Sequence, residues 1–270
     1  MRTWVIVATL TCASSVYADE LTEDPARSPG FVDILRQDAN SRAGGELTYF
    51  FIDGGDATLW RVDLHGHYVD PNSGFGGYAQ IPITHVDDNN NSDTVLGGLE
   101  VGGLYIPKLS TPNVGLVLRA GLALPTVDND DSALIGFLSS YMRPTDLYSQ
   151  LPRAASLLLS ASPMIRSGNF FARIDLGLDL NVYVDQGDTV DPGLLVNVGA
   201  GFDAGTAAIM GELSTLVVTG DNGDSLTSAA LSVRFDAGSV QPYLALLLPV
   251  DNDVSDIFDA AIVVGIEGRL

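Results

Sequence analysis

The stretch FFARIDLGLDLNVYVD, residues 170–185, alternates without interruption. Phe170, Ala172, Ile174, Leu176, Leu178, Leu180, Val182 and Val184 take the even places; Arg173, Asp175, Gly177, Asp179 and Asn181 take odd ones. A period of two is a β-strand with one apolar and one polar face. The fold depends on which face looks outward, and into what solvent.

The texture recurs. Alternating segments predict strands at about 45–53, 57–69, 75–86, 94–107, 113–125, 154–165, 169–184, 193–203, 206–219, 225–236, 240–250 and 257–270. Most exceed the usual globular strand of about 5–6 residues and reach the ~9–11 that a tilted membrane strand needs. Connections fall into two sets that alternate along the chain. One is acidic: 53–56, DDNNNSD at 87–93, a long insertion over 127–153, DQGDTVD at 185–191, GDNGD at 220–224 and DNDVSD at 251–256. The other is short: 70–74, 108–112, 166–168, 204–206 and 237–239. Up-and-down strands put alternate turns on opposite rims, so one rim is acidic and loop-rich and the other trimmed, as in outer-membrane barrels.

The apolar faces are therefore read as lipid-facing. The polar faces are rich in Gly, Ala and Ser, which suits a crowded interior. Lysine, which soluble sheets use to blunt their edges, occurs once, as Lys108. Aromatics near strand ends (Trp60, Tyr68, Tyr105, Phe170, Phe235, Phe258) match an interfacial girdle. The competing reading, a soluble sandwich with its apolar faces packed together, explains none of the three. The expected fold class is all-β: an antiparallel up-and-down transmembrane barrel of about twelve strands, with a short helical segment in one long extracellular loop.

Residues 1–18, MRTWVIVATLTCASSVYA, read as a secretory signal cut after Ala18, with Arg2 ahead of an apolar run too short to span a bilayer. Thr9-Leu10-Thr11 before Cys12 departs from a lipidation motif. Residues 19–44 form a polar periplasmic or plug segment with a brief amphipathic stretch, FVDILRQ; residues 45–270 form the barrel. The expected location is the cell outer membrane. A net charge of -21, from 34 acidic and 13 basic residues, excludes a generic nucleic-acid binder.

The pattern of residues 1–18 and 45–270 resembles Gram-negative outer-membrane β-barrel proteins of the porin and small-channel type. GLALPT at 121–126 is similar to a segment of channel-like barrels linked to aromatic-compound degradation. The final FDAAIVVGIEGRL resembles the signal read by the barrel-assembly machinery, though it ends in Leu270 rather than an aromatic. The resemblance implies outer-membrane lipid and lipopolysaccharide, the assembly machinery and a small-molecule solute as partners, with no cofactor.

Parity turns Arg61, Asp63, His65, His67, Glu100, Arg119, Arg173, Asp175, Asp179, Glu212, Arg234, Asp236, Glu267 and Arg269 inward. Two readings stand side by side: charged rings that select solutes, or arginine–carboxylate networks that fill and rigidify the barrel. His65 and His67, two apart on a strand, invite a metal or acid–base role, but His85 falls near the opposite rim. No His-x-Ser pair, G-x-S-x-G elbow or phosphate-cradling loop occurs. In the long insertion Leu134, Phe137, Leu138 and Tyr141 recur at helical spacing until Pro144. That apolar face enters the mouth as a constriction or lies across the rim as a lid. The function expected is a narrow passive channel for small solutes; a filled structural or adhesive barrel is second, and an outer-membrane hydrolase third.

Overall fold

The computed structural model describes residues 24–270 apart from 55–56, 89–91, 125, 127–135, 152, 184–189 and 220–224. Its strands are β1 (Arg42–Ile52), β2 (Ala57–Val69), β3 (Phe75–Asp88), β4 (Ser92–Leu96), β5 (Leu99–Tyr105), β6 (Val114–Leu124) and β7 (Ala154–Ser167). They continue as β8 (Phe170–Tyr183), β9 (Val190–Asp203), β10 (Ala207–Val218), β11 (Ser225–Phe235), β12 (Val240–Pro249) and β13 (Phe258–Arg269). Each pairs antiparallel with its sequence neighbours, except that β4 and β5 both lie along β3. They are the two halves of one strand broken at Gly97-Gly98. β1 pairs with both β2 and β13, and β2 with β3, so the sheet closes on itself as a barrel of twelve staves. Closure leaves no unpaired edge.

On strand β8 the apolar face looks outward. Ile174 and Leu176 are 45% and 53% exposed, while Arg173 and Asp175 are 1% and 0%. The same split runs round the ring: Leu122, Leu194, Val196, Val198, Val264 and Ile266 all point outward. A soluble monomer rarely shows so continuous an apolar surface; a bilayer needs it. Tyr68, Phe75, Tyr105, Phe170, Phe202 and Phe235 gather at strand ends on the short-turn side, with Phe75 stacked on Tyr105 and Phe170 edge-on to Phe202.

Phe258 is a correction to that girdle. Its ring is 1% exposed and packs inside against Phe50, with centroids 5.5 Å apart. The register between β1 and β13 slips at Phe51/Ile52, so that Phe51 opposes Ala260 but Ile52 opposes Phe258. One extra residue in a strand reverses side-chain parity beyond it, and this bulge turns Phe258 inward.

Several contacts in the wall are too close for a side chain. A Cβ on Gly121 would sit 1.9 Å from the Tyr78 hydroxyl oxygen, and one on Gly102 would lie 2.4 Å from the Tyr78 ring. The buried Tyr78 ring lies flat in that glycine groove and fills what would otherwise be a void.

Candidate functional site

The bore is the candidate site, and two non-strand segments occupy it. The first is the chain ahead of β1. From Ala26 it rises into the lumen, turns, and returns by Ala39; the Ala39 amide donates to the Ala26 carbonyl at 2.9 Å, and the Ser28 hydroxyl to Asp38 at 2.7 Å. Phe31, Val32, Ile34 and Leu35, the apolar side chains of the amphipathic stretch, are all buried. Each contributes on the order of 1.5–3 kcal/mol by leaving water. Phe31 meets Phe171 edge-on at 5.6 Å.

The inward charges hold the backbone of this plug. At its turn three successive amides, Val32, Asp33 and Ile34, donate to the Glu212 carboxylate at 2.9, 2.7 and 3.1 Å. The Leu35 amide donates to Asp175 at 3.2 Å, and the Arg173 guanidinium donates to the Gln37 carbonyl at 2.6 Å while pairing with Asp175. A segment with no strand partner has to place its backbone polar groups somewhere; here they go to strand side chains. At the foot, Arg42 donates to the Ser28 and Pro29 carbonyls and pairs with Asp38 at 3.0 Å. Burial alone would raise the Asp38 carboxyl; Arg42, with His67 and the Ser28 hydroxyl, outweighs it and holds that group well below the usual carboxylate range.

The second segment is the long insertion. Among its described residues, 136–139 form a helical turn, and a 3-10 helix follows over Pro144–Ser149, every residue of it buried. Pro144 does more than stop the first helix: it opens the second, at a position where the missing N–H costs nothing. Phe137, Leu138 and Tyr141 pack inward, Leu138 and Tyr141 against the cluster that holds Val32 and Phe258. The described part of the insertion thus enters the mouth rather than capping the rim. Leu134 lies outside the described residues. Gly97-Gly98, the break in the wall, makes room for it: a Cβ on Gly98 would fall 1.9 Å from the Ser149 carbonyl oxygen.

Wall, plug and insertion meet in one ion cluster. Arg36 of the plug pairs with Glu46 of β1 at 2.6 Å. Arg143 of the insertion reaches Glu46 and also donates to the plug's Val32 carbonyl. Arg61 of β2 pairs with Asp63 at 2.6 Å and with Asp146 of the insertion at 2.7 Å. Three guanidinium groups balance three carboxylates, and Tyr243 donates its hydroxyl to Glu46 at 2.6 Å. Balance matters because a lone charge enclosed this way is very costly.

The remaining inward residues divide. Arg119 pairs with Glu100 at 3.3 Å and lies over the Tyr78 ring, with Asp179 buried on β8. Arg234 pairs with Glu267 at 2.7 Å and stacks 4.2 Å from Tyr243. His65 approaches Glu267 at 3.0 Å and His67 approaches Asp38 at 3.7 Å. His85 sits toward the acidic rim, stacked on Trp60 and apart from both. Among the described residues no group of three or more His, Cys, Asp or Glu is gathered as metal ligands would be. Asp236 and Arg269 are corrections: both are exposed and pair with each other at 2.7 Å on the short-turn rim. β11 ends at Phe235 and β13 at Arg269, so inward parity no longer encloses a side chain there. Arg36, Asp38, Glu46, Arg143 and Asp146 were missed. Glu46 carried a signal, since it shares β1 parity with the buried Thr48 and Phe50; the other four lie outside strands.

No family model matches the chain, and no curated protein matches it. Solved structures do. The COG4313 outer-membrane channel from Pseudomonas putida F1 is 11% identical, with a TM-score of 0.59 over 90% of this chain and all of that one. The NanC porin is also 11% identical, with a TM-score of 0.53 over 85% of this chain and all of its own. At such identity the likeness is one of fold: this is a closed, twelve-stranded antiparallel barrel of the bacterial outer-membrane kind.

Proposed function

We propose that the protein is an outer-membrane channel for small solutes, closed at rest by its own N-terminal plug and by the inward insertion. What carries the reading is the source of the filling. A barrel that only had to be solid could close on about eight strands and fill with its own side chains. This one encloses a wider bore, lines it with charges, and fills it with two segments held by hydrogen bonds and ion pairs. Non-covalent filling can leave. The partners belong to the same proposal: export with cleavage behind Ala18, insertion through β13 by the assembly machinery, and seating in lipopolysaccharide.

A second reading rests on the filling itself: a barrel so completely plugged serves as a structural or adhesive body. Planar-bilayer recordings separate the two. The mature chain should give rare conductance steps, and a variant lacking residues 24–38 frequent ones. Silence from a correctly folded deletion variant would reject the channel and leave the solid barrel. Lipid or peptide turnover lost on replacing His65 and His67 would instead revive the hydrolase.

A further inference from the structure

The short-turn mouth holds a polar cavity of about 300 Å³ between the feet of the plug and the barrel wall. In a chain of net charge -21 its lining is unexpectedly basic: Arg27, Arg166, Arg234 and Arg269 against Asp203 and Asp236. Arg166 pairs with Asp203 at 3.0 Å and Arg269 with Asp236 at 2.7 Å. Arg234 is committed to Glu267, yet its Nε–H is buried with no acceptor, and the carboxamide oxygen of Gln241, a residue 3% exposed, is buried beside the same cavity without a partner. Arg27, exposed at the mouth, makes no side-chain hydrogen bond or ion pair among the described residues.

We infer that this vestibule binds a small oxyanion, phosphate or carboxylate. The arginines exceed the carboxylates around the cavity. The unmet groups include a buried guanidinium donor, and an amide end that can turn its NH₂ inward. Guanidinium forks match phosphate and carboxylate oxygens. A cleft walled by low-dielectric protein concentrates its positive potential, and Asp53, Asp87, Asp93, Asp251 and Asp256 lie at the other rim. The volume suits one phosphate or a short carboxylic acid and excludes a nucleic acid or a polysaccharide. Because Ser28, Pro29 and Asn40 also line the cavity, an anion here touches plug and wall together.

The test is titration of the refolded mature chain, in a detergent free of phosphate groups, with inorganic phosphate and separately with acetate, followed by calorimetry. Saturable binding of one anion per chain is expected. Arg27→Gln should weaken it roughly tenfold, the loss of one charged hydrogen bond. Lys108→Gln, on a rim turn outside the cavity, should leave it unchanged. Arg27 is exposed, so the variant keeps its fold, as a heat-modifiability gel verifies. An absence of saturable binding for both anions overturns the proposal, and so does an equal loss in Lys108→Gln, which marks general attraction. The site is independent of conduction: intact phosphate binding with silent bilayers would remove only the channel.

Discussion

Glu212 does for the plug what a neighbouring strand would otherwise do, accepting three consecutive amides with one carboxylate. Its removal strands those amides in a space that water does not reach, at about 1–3 kcal/mol each. Glu212→Ala should therefore release the plug while the wall stays closed: protease cleavage within residues 31–37 should become rapid, with the heat-modifiable gel shift retained. Leu213→Ala, one place on and facing lipid, should leave cleavage as slow as in the parent. Gly98 makes the same kind of prediction by shape. A methyl there meets the Ser149 carbonyl, a contact that backbone cannot yield cheaply, so Gly98→Ala should expel the 3-10 helix and expose Tyr148 to surface labelling. If Tyr148 stays protected, the insertion does not depend on the break in the wall.

At the scale of elements, the plug is tied at its foot by an ionised pair. The Asp38 carboxyl titrates lower in the folded chain than in the unfolded one, so its contribution is fully present above the unfolded pKa of about 3.9 and is lost as pH falls through the folded value. With Val32→Cys as the sole thiol of a chain begun at Asp19, labelling by a dithiodipyridine, which reacts in acid, should be slow and flat from neutrality to about pH 4 and should accelerate below it. Asp38→Asn should label quickly throughout; a flat, slow profile in that variant would remove the pair from the account. The strands themselves were legible, because period two is local and each stave had to show lipid one face. Phe258 was misread because nothing in Ile257-Phe258-Asp259-Ala260 marks the bulge locally. Asp236 and Arg269 were misread because parity was carried to the very ends of strands. FVDILRQ announced an apolar face in need of cover, and Phe137, Leu138 and Tyr141 announced another. That each covers the other's neighbourhood inside the bore is a contact between distant stretches, which no single window contains.

Across the whole molecule one arrangement follows from the rest: lipid outside, charge inside, and the interior charges satisfied partly by one another and partly by segments that are not part of the wall. The inward residues of β1, β8 and β10 thus have a structural occupation, holding the plug, before any role toward a solute. Asp53, Asp87, Asp93, Asp251 and Asp256 lie at the loop-rich mouth and a basic vestibule at the other, so the described barrel differs in charge end to end as well as across its wall. The central claim is that residues 26–39 lie within the bore, and backbone hydrogen exchange of the refolded chain tests it most directly. The amides of Val32, Asp33, Ile34 and Leu35 should be protected to an extent comparable with the strands. Exchange of those four at the rate of an unstructured peptide, while the strand amides stay protected, would contradict it.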